Sequence, residues 1–198
     1  MTRNVILAGV GGQGLLSIAA VLGEAARREG LNLKQAEVHG MAQRGGVVQS
    51  HVRFGPGPIH SDLIREGTAD LILSLEPMEA LRYLPFLAQD GAMVTNSEPF
   101  ENIPDYPELD SIHEEIRGLP NHRLVDAAAL AKTAGSPRAA NMVMLGAGSP
   151  YLELPEEALI TGIRSVFAGK SEEIVETNVR AFRLGRAAPE AEYSGENA

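Results

Sequence analysis

The 198-residue chain is 44% hydrophobic, has neither cysteine nor tryptophan, and sets 17 basic against 26 acidic residues for a formal charge of -9. Zero cysteine excludes disulfides, thiolate zinc, a cysteine nucleophile and any thiolate-held iron–sulfur cluster on this polypeptide; the acidic balance argues against broad nucleic-acid or anionic-membrane binding. With no apolar run near the ~20 residues that span a bilayer, the expectation is one soluble, cytoplasmic α/β domain.

Met1-Thr2-Arg3-Asn4 lacks a small-residue cleavage site and leads into a strand rather than a signal peptide. Asn4 to Ala8 is too short for a helix and stops at Gly9, which predicts a strand. Leu15, Ile18, Leu22 and Ala26 then recur at helical spacing, and Gly30 supplies the stop. Residues 31–38 read as a second strand, completing a unit that connects parallel strands by a right-handed crossover. After a second glycine-bearing loop, Val47 to Phe54 alternates: Val48, Ser50, Val52 and Phe54 share one face, and Val47, Gln49, His51 and Arg53 the other.

Gly55-Pro56-Gly57-Pro58 cannot continue a central strand, so Ile59 onward is expected to return as a hairpin partner or an edge. Ala69 to Leu75 has the continuous apolar pattern of a strand buried on both faces. Pro77 opens a helix that Pro85 shortens, Gly91 ends that segment, and Ala92 to Thr95 follows as a strand. Residues 96–108, with three prolines and several acids, read as an irregular excursion. Leu124-Val125 is a weak strand and Ala127 to Ala134 a helix; two more helices run from Pro155 to about Ala168 and from Glu172 to about Arg186. Residues 187–198 have little to bury and read as a flexible tail behind a single domain, 1–186. The fold expected is three-layer α/β/α, with a Rossmann-like, mostly parallel sheet and an antiparallel hairpin.

Gly9-Val10-Gly11-Gly12-Gln13-Gly14 satisfies G-x-G-x-x-G directly after a strand and before a helix. Glycine lets backbone amides approach a ligand, and the helix start offers unpaired N–H groups to an anion; the same glycines would also serve tight strand–helix packing. Dinucleotide binding further asks for an acid about 20 residues on, and Glu37 is available. A second cluster, Glu37-Val38-His39-Gly40-Met41-Ala42-Gln43-Arg44-Gly45-Gly46, follows a strand end and is expected beside the first. Gln49, His51 and Arg53 are expected to converge on the same end of the sheet. Arg44 and Arg53 suit phosphate or carboxylate, or could pair with Glu37. Glu76 has a sufficient structural reason as a carboxylate at a helix start. His39, His51 and His60 are weak metal candidates, and no nucleophile–base–acid trio can be nominated. A nicotinamide- or flavin-dependent enzyme and a non-catalytic ligand sensor both remain open on these motifs.

Taken in order, the first glycine turn, the Glu37–Gly46 cluster and Ser50-His51-Val52-Arg53 resemble the gamma-type domain of the 2-oxoacid:ferredoxin oxidoreductases, and most of all its indolepyruvate branch. Glu76-Pro77-Met78-Glu79-Ala80-Leu81-Arg82-Tyr83-Leu84-Pro85 and the last helix through Asn178 and Phe182 extend the likeness to residues 3–186. The resemblance implies oxidative decarboxylation of a 2-oxoacid with coenzyme A, giving an acyl-CoA, carbon dioxide and reduced ferredoxin. It further implies that thiamine diphosphate and the iron–sulfur clusters sit on a large partner subunit. The chain has no Gly-Asp-Gly segment of the thiamine-binding kind, since Gln89 precedes Asp90-Gly91. The residues then expected at the partner contact and at coenzyme A are Gly9, Gly11, Gly12, Gln13, Gly14, Arg44 and Arg53, together with the His51 face.

Overall fold

A computed structural model describes residues 1–39, 46–101 and 103–189. Its strands are β1 (Arg3–Val10), β2 (Asn32–His39), β3 (Val47–Gly55), β4 (Ala69–Ser74), β5 (Leu87–Asn96) and β6 (His122–Val125). Its helices are α1 (Leu15–Arg28), α2 (Pro77–Arg82), α3 (Leu109–Arg117), α4 (Ala127–Ala134), α5 (Ala140–Gly148), α6 (Glu156–Val166) and α7 (Glu172–Ala187). The strands form a six-stranded sheet in the order β2-β3-β1-β4-β5-β6.

β1, β4, β5 and β6 pair in parallel, whereas β3 is antiparallel to both of its neighbours, β1 and β2. The hairpin therefore exists, but with another partner: β3 turns back on β2, pairing His51 with Ala36, rather than on Ile59 onward. The prolines at 56 and 58 offer no N–H to a ladder, and the chain after them makes no strand before β4. β1 and β2 run the same way, as a crossover unit requires, but β3 lies between them.

β1 buries alternate residues on opposite faces. Val5 and Leu7 meet α1 and the helices from α4 onward in a large apolar cluster; Ile6 meets α2 and α3 in a smaller one. α1 earns its place through Ile18, Val21, Leu22, Ala25 and Ala26, all inaccessible to solvent at helical spacing, each large aliphatic group contributing about 1.5–3 kcal/mol. α5 shows no such stripe because all nine of its residues but Ala140 are buried, so periodicity could not reveal it. Gly91 does not end a segment: it lies within β5, where a Cβ would sit 2.6 Å from the Ala69 carbonyl oxygen. Glycine at 91 thus lets β5 close on β4 at a register shift. No helix among the described residues is long and apolar enough to cross a membrane. Residues 190–198 of the expected tail lie outside the described residues.

Candidate functional site

The first glycine turn stands at the carboxyl edge of β1, where the helix order switches from one face of the sheet to the other. Gln13 folds the turn: its Oε1 accepts from Val10 N at 2.7 Å and its Nε2 donates to the Leu75 carbonyl at 3.1 Å, tying β1 to the end of β4. Gly11 N donates to the Gly46 carbonyl at 2.8 Å, so the start of β3 leans on the turn.

The glycines divide by role. At Gly9 a Cβ would lie 2.7 Å from Gln13 Oε1 and 3.3 Å from the Leu75 Cβ; at Gly14 (φ 90°) it would lie 2.5 Å from Asn141 Nδ2, whose amide donates to the Gly14 carbonyl. Packing alone demands these two. Gly12, at φ 104°, has nothing within 4 Å of a Cβ. It faces open space in a left-handed conformation, which keeps the backbone bare where a ligand or partner would approach. α1 begins just beyond with no side-chain cap, so its first amides point into the same opening.

Two cavities flank Gly12 and Gly14. One, of about 510 Å³, lies between the first turn of α1 and the β2–β3 hairpin and is lined by Leu16, Glu37 and Val48. The other, of about 480 Å³, opens toward β4 and β5 and is lined by Leu75, Asn96, Arg138 and Asn141. Both are of the size that holds small molecules. Leu16, 61% exposed, puts apolar surface on the first rim.

The remaining expected residues do not all gather here. Glu37 reaches the first cavity, yet with β3 inserted it stands two strands from β1, about 10 Å rather than one spacing away. A dinucleotide site of the usual kind would instead carry its acid on the strand next to β1. Gln49, His51 and Arg53 do not converge on this end. They pair with Ala8, Ile6 and Asn4, so the row runs back along β1. Arg53 is about 20 Å from the glycine end by strand rise. Its guanidinium donates to Asn4 Oδ1 at 2.9 Å and to the carbonyls of Ser61 and Leu63 at 2.8 and 3.2 Å. It fastens the segment after the prolines and presents no phosphate site at the turn.

His51 does the same from beneath. It is 4% exposed, its Nδ1 accepts from Ile64 N at 3.0 Å, and its ring meets Phe86 edge to face. Burial pushes its pKa down, with the Arg53 charge adding to that and Asp62 opposing it. The neutral ring that the hydrogen bond requires is therefore the favoured form. The His51 face is thus covered by its own chain and is not an open contact surface. Arg44, with the rest of 40–45, and the His39 side chain lie outside the described residues. Among the described residues, no group of three His, Asp or Glu side chains is arranged to hold a metal.

Glu76 is the helix-start carboxylate its position suggested. Its Oε2 accepts from Glu79 N at 2.7 Å, and its Oε1 from Tyr106 OH and, at 3.4 Å, from Phe100 N. One fully buried carboxylate thereby caps α2 and holds the 97–108 excursion in place. Tyr106 is held well above the ordinary phenol range, by burial first and then by that bond, and stays protonated. Sequence reasoning missed Arg138 and Asn141. They follow the α4 turn, 127 residues from Gly14 in the case of Asn141, and no local pattern marks them.

The chain and its architecture have counterparts. Residues 4–188 match the model of the pyruvate ferredoxin/flavodoxin oxidoreductase family. The chain is 40% identical to the indolepyruvate oxidoreductase subunit IorB of Archaeoglobus fulgidus, over 93% of this chain and 94% of that one. Among solved structures, a keto/oxoacid ferredoxin oxidoreductase gamma subunit from Geobacter sulfurreducens superposes with TM-score 0.64 at 26% identity, covering 92% of this chain and 95% of that one. The 2-oxoglutarate:ferredoxin oxidoreductase of Magnetococcus marinus, solved with 2-oxoglutarate, coenzyme A and succinyl-CoA, shares the fold at TM-score 0.73 and 22% identity; 96% of this chain matches 32% of that one, so the present fold spans about a third of the longer polypeptide. With a family model that runs from β1 through α7 and a relative matched nearly end to end, the chain belongs to the pyruvate ferredoxin/flavodoxin oxidoreductase family.

Proposed function

We propose that this chain is the small, gamma-type subunit of an indolepyruvate-type 2-oxoacid:ferredoxin oxidoreductase, active only with a large partner subunit. The observation that carries this reading is the match to subunit IorB at 40% identity over nearly the whole of both chains. Residues 1–186 would be one domain and 187–198 its tail. The reaction would convert a 2-oxoacid and coenzyme A into an acyl-CoA and carbon dioxide, with two electrons passing to ferredoxin.

The residues present fit neither redox group. A chain without cysteine offers no thiolate to an iron–sulfur cluster, and Asp90 lies exposed within β5 without the glycine that a Gly-Asp-Gly segment would place before it. Thiamine diphosphate and the clusters are therefore assigned to the partner. What this chain supplies is the glycine edge. Gly12 and the first amides of α1 form a bare, positively polarised backbone surface between two cavities. Exposed Leu16 leaves apolar surface on one rim for a partner to cover. In this reading the turn docks against the large subunit and borders the coenzyme A path. The position of Glu37, two strands from β1, speaks against a stand-alone NAD(P)- or FAD-dependent enzyme.

Co-expression with the large subunit tests the proposal. The two chains should co-purify, and 2-oxoacid- and coenzyme A-dependent ferredoxin reduction should require both. Separate purification, with the large subunit fully active alone, would overturn it, as would micromolar binding of NAD(H) or FAD by this chain.

A further inference from the structure

β2 is an edge of the sheet and the longer of the two edges, eight residues against four in β6. The direction of its unused hydrogen bonds follows from the ladder. Gly11 N donates to the Gly46 carbonyl one step beyond the last β1–β3 pair, which makes these two a hydrogen-bonded pair. Bonded pairs recur at every second residue. Val48, Ser50, Val52 and Phe54 therefore turn their backbone toward β1, and Gln49, His51 and Arg53 turn theirs toward β2. Across the next ladder these three meet Val38, Ala36 and Lys34. Leu33 and Gln35, which alternate with them, aim N–H and C=O away from the sheet, and neither backbone has a hydrogen-bond partner among the described residues.

An edge of this kind templates another strand unless it is shortened, kinked, guarded by charge or covered. β2 is neither short nor kinked: it carries no proline, no glycine and no register shift. Its lysine is drawn back over its own chain, with Lys34 Nζ 3.4 Å from the His60 carbonyl, and Glu37 turns to the first cavity. The Gln35 side chain folds back as well, donating to Ser50 Oγ at 3.2 Å, and Leu33 packs against the core. What remains at the edge is backbone, with Val38, 51% exposed, as apolar surface beside it.

The position of this edge selects its partner. Val48 pairs with Gly9 on one side and with His39 on the other, so the carboxyl end of β2 is level with the glycine turn, two strands away. A large subunit that covers Gly12 and Leu16 reaches the end of β2. We propose that β2 takes up an extended segment of the large subunit, which adds a seventh strand through main-chain hydrogen bonds to Leu33 and Gln35. The segment that fits is a strand without proline at the bonding positions and with an apolar residue to meet Val38. This deepens the subunit reading and rests on it.

Hydrogen exchange of the co-purified complex, resolved by residue and compared with the chain alone, tests this. The amides of Leu33 and Gln35 should slow by at least about tenfold on assembly. Gln35→Pro removes one outward N–H at an edge position that tolerates proline, whereas Gln35→Ala loses the same side-chain bond to Ser50 and keeps the N–H. Association with the large subunit should be about tenfold weaker for the proline variant than for the alanine variant. Slowing at the glycine turn with exchange in β2 unchanged would overturn strand addition and leave the subunit reading standing. Equal association of the two folded variants would do the same. Shielding of these amides in a homodimer of the isolated chain would give the edge to a second copy and overturn the assignment. Failure of the two chains to co-purify would overturn both readings. Should Gln35→Pro not fold, exchange in the parent complex decides alone.

Discussion

On the face of the sheet that carries α1 and α4 to α7, the helices meet backbone to backbone through glycines. On the face that carries α2 and α3, they meet around buried acids and imidazoles. A Cβ at Gly146 would fall 1.9 Å from the Phe182 carbonyl oxygen, and one at Gly185 1.9 Å from that of Val143, so α5 and α7 cross in near contact. The opposite face buries Glu76, Glu79, His51 and His113. Neither Glu79 oxygen has a hydrogen bond of proper geometry, although Arg82 Nε lies 3.0 Å away as an ion pair. The first face is governed by volume and the second by protonation, and the two should fail under different stresses.

Volume should give the largest effect. Gly185→Val or Gly146→Ala must push α5 from α7, and overpacking against backbone should cost about 3 kcal/mol or more, lowering Tm by roughly 10 °C in calorimetry. A parent-like Tm would mean that the two helices part easily. On the other face, Glu76→Ala removes the α2 cap and both anchors of the excursion, for about 2 kcal/mol. Hydrogen exchange should quicken at residues 97–108 first, and uniform loosening would deny that Glu76 pins them.

Gly12→Ala probes the edge common to both faces. Its left-handed φ should cost about 1 kcal/mol, a small stability change beside a clear loss of co-purification with the large subunit. Unimpaired assembly would remove the turn from the interface.

Protonation sharpens the contrast. Burial, first among the causes, holds His51 and His113 below the ordinary 6.5, so the native state prefers them neutral. Their contribution is complete above about pH 6.5 and declines as acid protonates the unfolded chain first. Burial pushes Glu79 above its ordinary 4.5, with Arg82 opposing and Glu76 adding. Its native state prefers the proton, so the contribution present below pH 4.5 is lost as pH rises through the native value. Glu79→Gln should therefore stabilise at pH 7 and do nothing near pH 4, and a gain independent of pH would refute the assignment. Smallest of all, Arg164→Ala breaks an exposed pair with Glu176 and should leave Tm within experimental scatter.

Much of this contrast was hidden in the sequence. The glycine turn, the crossover helix and the buried strand at Ala69 were legible because each depends on neighbours a few residues away. Glu76 was legible for the same reason, as a carboxylate preceding a proline at a helix start. α5 was not, because a helix buried on all sides loses its polar stripe. Arg53 was misplaced in the site because alternation fixes which face a side chain takes but not which end of the sheet it occupies. Arg138 and Asn141 carried no signal at all, since only helix packing brings them to the glycine turn, 127 residues away in the case of Asn141.

By itself the sequence determined the α/β class, the glycine turn between the first strand and helix and, through its lack of cysteine, the need for any cluster chemistry to come from another chain. These follow from local backbone sterics and from the thiolates that an iron–sulfur cluster requires. Only the tertiary structure decided that β3 enters between β1 and β2, that Glu37 stands two strands from the turn, and that Arg53 and His51 hold down their own chain. Strand order arises from pairing between distant segments, and a two-residue alternation is satisfied equally well in any order.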